Sequence, residues 1–192
     1  MIAIFDYGAG NLRSVQNALS ELNCEYALVR DAAGLRAAAK ILLPGVGHFG
    51  QMMRALDALQ VRDALLERIR AGVPFFGICL GMQALFESSE EAPEVQGLGL
   101  YPGTVRRFPA NARVPHMGWN QIGNAGLQAC EPRYVYFAHS YYVPECEQTS
   151  AVCTYAVRFT AMLRCGNVQG VQFHPEKSGP AGLDIVRRFL ES

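Results

Sequence analysis

The sequence predicts an α/β protein with a mixed, mostly parallel central sheet flanked by helices and an antiparallel, β-rich second half. Three observations carry that expectation. Through the first half, short apolar runs alternate with helical patterns, as strands buried on both faces of a parallel sheet do. The second half breaks into short strand-like runs punctuated by Gly, Pro and Asn. The 192 residues, 50% of them hydrophobic, let a fold remove roughly 70% of the unfolded chain's surface from water without disulfides or metal.

Taken in order, Ile2–Phe5 is the first strand. The opening Met1-Ile2-Ala3-Ile4-Phe5-Asp6 lacks the basic leader and small-residue cleavage site of a signal peptide, so a soluble, cytoplasmic protein is expected. Leu12, Val15, Leu19 and Leu22 recur at helical spacing, then Tyr26–Val29 and Ile41–Leu43 read as strands. Leu56, Leu59, Leu65, Leu66 and Ile69 form a second helical face before the buried strand Val73–Ile78. The later strands are Thr104–Phe108, Val114–Ile122, Tyr134–Phe137, Ala151–Val157, Ala161–Arg164 and Val168–Phe173. A last helix, about Gly182–Leu190, carries Leu183, Val186, Phe189 and Leu190 on one stripe. With no linker, repeat or low-complexity tract, residues 1–192 are expected to form a single domain.

Seventeen basic side chains balance 17 acidic ones, and only 18% of residues are charged. A nucleic-acid partner is therefore not expected, because phosphate binding needs a basic excess. The apolar runs fall far short of the ~20 residues of a membrane span. None of the six cysteines forms a C-x-x-C pair, so free thiols are expected. Cys24, Cys130, Cys146, Cys153 and Cys165 read as inert, small apolar residues.

Three segments could carry chemistry. Gly77-Ile78-Cys79-Leu80-Gly81-Met82-Gln83 runs from a buried strand into a helical pattern, with a glycine two residues to either side of the cysteine. That is the pattern of a nucleophile elbow with sulfur in place of a hydroxyl; the following helix N-terminus would favour the thiolate and offer N–H groups to an oxyanion. A core cysteine beside a glycine-packed helix is the plainer alternative. In Val171-Gln172-Phe173-His174-Pro175-Glu176-Lys177, alternation along an extended segment puts His174 and Glu176 on one side, where the carboxylate can fix the imidazole's tautomer. An ordinary ion pair at a strand end would read the same way. Pro44-Gly45-Val46-Gly47-His48-Phe49-Gly50 follows an apolar strand, and its glycines could turn N–H groups into a site. It also spells a dinucleotide-binding fingerprint, but the acidic residues at the required distance, Asp63 and Glu67, lie within a helical pattern.

Together these residues resemble the class I (triad) glutamine amidotransferases, and among them the glutaminase subunits of imidazole glycerol phosphate synthase in histidine biosynthesis. The elbow, the Pro44-Gly45 loop and Gln172-Phe173-His174-Pro175-Glu176 are general to the class. More particular are Asp6-Tyr7-Gly8-Ala9-Gly10-Asn11-Leu12, Pro115-His116-Met117-Gly118-Trp119-Asn120, His139-Ser140-Tyr141 and Lys177-Ser178-Gly179. The resemblance spans essentially the whole chain and implies the class I amidotransferase fold.

It implies further that Cys79 is the nucleophile, His174 the general base and acid, and Glu176 the orienting carboxylate. Leu80 and the Val46–Gly47 loop would supply the oxyanion hole, while Gln83, Glu91, Ser140 and Tyr141 would hold glutamine. For Gln83 the residues alone say only helix surface. The implied partner is a (β/α)8-barrel cyclase subunit, with Asn11, Met117, Trp119, Asn120, Tyr136 and Lys177 at the interface, and no cofactor or metal is implied. Composition alone would place Trp119, the only tryptophan, in the core. His48, His116 and His139 read as hydrogen-bonded structural histidines. Where relatives often carry Tyr-Gly, this chain has Tyr155-Ala156, leaving a glycine-dependent conformation open there. The competing readings are a glutaminase component of another amidotransferase, a free-standing cysteine hydrolase and a non-catalytic binding module.

Overall fold

Alternate residues of the first strands feed two different cores. In the computed structural model, which describes residues 1–9, 11–124 and 133–192, β1 (Ile2–Phe5), β3 (Lys40–Gly45) and β4 (Phe75–Cys79) are buried on both faces. Ala3, Phe5, Ile41, Leu43 and Phe75 pack into one layer, and Ile4, Leu42, Phe76 and Ile78 into the other. A run with no polar face can be stable only between two helical layers, which accounts for the continuous apolarity of these strands.

The main sheet has nine strands in the order β2-β1-β3-β4-β12-β11-β10-β7-β8. β2 (Tyr26–Val29), β1, β3, β4 and β12 (Val168–Val171) run parallel. From β12 onward β11 (Val157–Cys165), β10 (Thr149–Tyr155), β7 (His116–Asn124) and β8 (Arg133–His139) are antiparallel. A second, three-stranded sheet joins β5 (Phe86–Ser89), β6 (Tyr101–Arg107) and β9 (Tyr141–Tyr142). β5 and β9 carry no alternation long enough to be read from sequence.

Helix α1 (Leu12–Glu21) buries Val15, Ala18 and Leu19, and α6 (Gly179–Glu191) buries Ile185, Val186 and Phe189. Both cover the second layer, where Phe189 stacks on Phe76 with ring centroids 5.0 Å apart. The apolar face read over residues 56–69 belongs to two helices, α3 (Phe49–Ala58) and α4 (Arg62–Arg70). Gln60 between them has φ +54°, a left-handed value that ends α3 and leaves Leu59 exposed. The sequence reading also missed α2 (Ala32–Ala37), whose N-cap Asp31 accepts from the Gly34 N–H.

The expected single strand Ala151–Val157 breaks at Ala156, which takes φ +55° to turn β10 directly into β11. The conformation that suits glycine is therefore kept without glycine. Among the described cysteines, Cys79 and Cys153 are buried, Cys24 and Cys146 half-buried, and Cys165 exposed, and all are free thiols. Cys165, read from sequence as an inert apolar residue, stands exposed next to the β11–β12 turn; Cys130 lies outside the described residues. No helix among those residues is long and apolar enough to cross a membrane.

Candidate active site

The parallel strands β3, β4 and β12 run side by side, and the site forms at their carboxyl ends, where an open α/β sheet leaves a crevice. Cys79 ends β4 with φ +53°, and α5 (Leu80–Gln83) starts at the next residue. A non-glycine residue held there stores strain of order 1–3 kcal/mol, and the close-packed turn explains why it holds. A Cβ on Gly81 would collide with the Leu43 carbonyl, and one on Gly77 would sit 2.7 Å from the Gly81 carbonyl oxygen. The glycines flanking the cysteine are thus what lets α5 lie against the sheet.

His174 follows β12, its N–H donating to the Tyr136 carbonyl of β8 at 2.9 Å. Its side chain is 5% exposed, and Nδ1 lies 2.9 Å from Glu176 Oε1, a carboxylate itself 3% exposed. The two are not on an extended strand as alternation suggested. Pro175 begins a 3₁₀ turn, Pro175–Lys177, that folds Glu176 back beneath the ring. Burial disfavours the imidazolium, but hydrogen bonds to the Cys79 sulfur and to Glu176 outweigh it and push the pKa of His174 up to about 10. Glu176 Oε2 is buried without a hydrogen-bond partner among the described residues.

A cavity of about 200 Å3 opens onto the sulfur. Cys79, His174, Leu80, Val46 and Gly47 line it, and so do Gln83, Glu91, Ser140 and Tyr141. Nine residues singled out from five separate stretches of sequence thus meet in one space, with Glu176 behind His174. Pro115, Met117, Ala138 and His139 complete the lining.

Three details depart from the sequence reading. Gln83 is buried at 3% exposure, not on a helix surface, because the short α5 passes under β9: its Nε2 donates to the Tyr141 carbonyl at 2.8 Å and to Gln172 Oε1 at 3.0 Å. Glu91 has one carboxylate oxygen engaged, accepting from the Phe49 N–H at the start of α3 at 2.7 Å. The Val46 N–H, expected to face an oxyanion, donates to the Tyr7 hydroxyl at 3.2 Å. Tyr7 was not anticipated; a tyrosine 39 positions away carries no local signal.

His48 caps α3 by accepting from the Gly50 N–H. His116 and His139 are bonded to each other at 3.1 Å. His139 Nδ1 lies 2.8 Å from the Tyr141 carbonyl, which can only accept, so that nitrogen carries the proton. Burial pushes both imidazoles down, His116 to about 4 and His139 to about 3, and they are neutral near pH 7.

The model of the family described as glutamine amidotransferase class-I matches residues 3–192. The chain belongs to the class I glutamine amidotransferases. Imidazole glycerol phosphate synthase subunit HisH of Methanothermobacter thermautotrophicus is 47% identical over 196 residues, covering 100% of this chain and 98% of that protein. The subunit of the same name from Thermus thermophilus is 46% identical over 193 residues, covering 98% and 97%. The Arabidopsis thaliana protein described as imidazole glycerol phosphate synthase hisHF, chloroplastic, is 46% identical over 99% of this chain, which spans 34% of it. Among solved structures, a glutamine amidotransferase superposes with a TM-score of 0.80 at 23% identity over 99% of this chain and 97% of that one, a likeness of fold.

The face of this amidotransferase beside the cavity is apolar. Met117 and Trp119 of β7 are 64% and 57% exposed, so the tryptophan is a surface residue and not a core one. Its ring meets Tyr136 edge-on at 6.2 Å, and Lys177 Nζ lies 5.8 Å from the centre of the Tyr136 ring. Asn120, one residue on, points to the other face, with Nδ2 3.2 Å from the Thr154 carbonyl and 3.3 Å from His116 Nε2. Its side chain is therefore not part of the Trp119 surface. Asn11 sits at the N-cap of α1 and makes no side-chain cap bond.

Proposed function

We propose that this chain, acting as one glutaminase domain, hydrolyses glutamine and passes the ammonia to a (β/α)8-barrel cyclase subunit, which forms imidazole glycerol phosphate and AICAR ribonucleotide in histidine biosynthesis. The observation that carries the chemistry is His174, held at 2.9 Å by Glu176 and lining one cavity with Cys79. Likeness to HisH subunits over the full chain supports the partner.

His174 takes the proton of the Cys79 thiol, giving a thiolate–imidazolium pair. The thiolate attacks the side-chain carbonyl carbon of glutamine, and the oxyanion takes the Leu80 N–H, the first of α5 and without a partner inside the helix. The Val46–Gly47 loop completes the hole once Val46 leaves Tyr7. His174 gives its proton to the departing nitrogen, and ammonia leaves a glutamyl thioester on Cys79. Acylation removes the sulfur's negative charge and with it part of what stabilises the imidazolium. His174, left neutral by giving its proton to ammonia, accepts a proton from the attacking water; the thioester C–S bond breaks, glutamate is released, and Cys79 recovers its proton from His174. Gln83, Glu91, Ser140 and Tyr141 hold the amino-acid portion of glutamine, with one oxygen of Glu91 remaining for the α-ammonium. Trp119, Met117, Tyr136 and Lys177 face the cyclase, with Asn11 at the same edge. Free thiols and a thiolate nucleophile suit a reducing compartment, the cytoplasm.

The test is glutamate release by the purified chain, alone and with a barrel cyclase carrying its nucleotide ligand, with Cys79→Ala as the blank. Release that rises with the liganded cyclase and vanishes in the variant supports the proposal. Full activity of the chain alone would instead favour a free-standing hydrolase.

A further inference from the structure

Gln172 is fully buried, yet it ends in a carboxamide. Such a group is costly in a core unless both its ends are bonded. Its Oε1 accepts from Gln83 Nε2 at 3.0 Å, and its Nε2 lies 3.6 Å from the Cys79 sulfur, the only acceptor it meets among the described residues. The direction of this chain is fixed by one backbone group. The Tyr141 carbonyl can only accept, so the end of Gln83 that bonds it is the NH2 end. That same NH2 then donates to Gln172, so the end of Gln172 facing Gln83 is the oxygen. The nitrogen of Gln172 is left to face the sulfur.

We propose that Gln172 is the positioning residue of the nucleophile, donating a carboxamide N–H to the Cys79 sulfur and thereby favouring the thiolate and aiming it at the cavity. The inference rests on the reading of Cys79 as nucleophile. An N–H donor bonds a negative sulfur more strongly than a thiol, so the bond selects the charged form. A leucine would fill the same volume without this bias. The Tyr141–Gln83–Gln172–Cys79 chain also ties the sulfur to the strand edge that lines the glutamine cavity, linking substrate seat and nucleophile through buried groups.

The titratable groups around the sulfur are His174 with Glu176 behind it, Tyr7 from the β1–α1 loop, and Glu91, His139 and Tyr141 around the cavity. All are unchanged in the test. The rate of iodoacetamide alkylation of Cys79 is followed against pH by mass spectrometry of its peptide, for wild type, Gln172→Met and Gln172→Glu. The methionine keeps the volume and removes the donor. The glutamate keeps the acceptor for Gln83 and puts a negative charge where the donor was. Both variants are expected to move the alkylation profile to higher pH, Gln172→Met by about one unit, an approximately tenfold lower rate near neutrality, and Gln172→Glu further. With the cyclase complex, kcat for glutamine is expected to fall about tenfold while KM changes by less than about threefold. Profiles that superpose on the wild type in either folded variant overturn the proposal. Because alkylation does not require glutamine, absence of glutaminase activity in the wild type would count against the proposed function while leaving the Gln172–Cys79 link measurable.

Discussion

The Tyr7 hydroxyl bonds both backbone groups of one residue, accepting from the Val46 N–H and donating to the Val46 carbonyl oxygen, each at 3.2 Å. Burial pushes the phenol up to about 12, so it is protonated at any working pH and can donate to that carbonyl. In this arrangement the residue expected to help hold an oxyanion is engaged elsewhere. Tyr7→Phe removes the hydroxyl and leaves the ring. Each lost bond is worth about 1 kcal/mol, so glutaminase turnover of the isolated chain should rise on the order of tenfold, and stimulation by the cyclase should shrink in proportion. Steady-state glutamate release, with and without the liganded partner, checks this; an unchanged or lower basal rate would refute it.

Glu176→Gln keeps the size of the group but removes the charge that favours the His174 imidazolium. Loss of an oriented base costs roughly 10²–10⁴-fold in rate, so kcat should fall within that range with little change in KM. A variant retaining more than a tenth of wild-type kcat would contradict the assignment.

The same pair sets a dependence of folding stability on pH. The pKa of His174 is raised from 6.5 to about 10 in the folded chain, so its contribution is fully present below about pH 6.5 and is lost as pH rises through about 10. Urea midpoints measured from pH 6 to 10.5 should therefore fall more steeply for wild type than for Glu176→Gln, other titrating groups being common to both. Parallel curves would show that the ion pair does not contribute.

Trp119→Ala should leave turnover of the isolated chain unchanged and weaken the cyclase complex. Exposed aromatic anchors at the centre of an interface are worth about 2 kcal/mol or more, roughly a thirtyfold higher Kd. Calorimetric titration with the cyclase reads this directly, and equal affinities would place the partner elsewhere.

Ala156 holds φ +55°, at a cost of about 1–2 kcal/mol for an L-residue. Ala156→Gly relieves that strain and loses part of the gain to the freer unfolded chain, for a net of about 1 kcal/mol, or a Tm rise of about 2–4 °C at this size. Activity should not change. A Tm that stays or falls would show that the turn is not strained.

What the sequence disclosed was whatever is local. The elbow is legible because its glycines and cysteine fall within five residues, and the parallel strands because burial on both faces leaves them wholly apolar. His174 and Glu176 were paired correctly for the wrong reason, since a 3₁₀ turn and not strand alternation brings them together. Gln83 was misplaced because nothing within α5 tells that β9 lies over it. The Tyr7–Val46 and Gln172–Cys79 contacts span 39 and 93 positions and exist only once the sheet has assembled. The helical face over 56–69 looked continuous because hydrophobic spacing does not register the left-handed turn at Gln60.

Met117 belongs to two surfaces at once, lining the cavity and standing 64% exposed on the Trp119 face. Any protein seated on that face therefore also touches a wall of the cavity. Docking and contact with the chamber become one event, so ammonia freed at Cys79 is released beside the partner's seat and not on a remote face, a short path that limits its protonation to the non-nucleophilic ammonium.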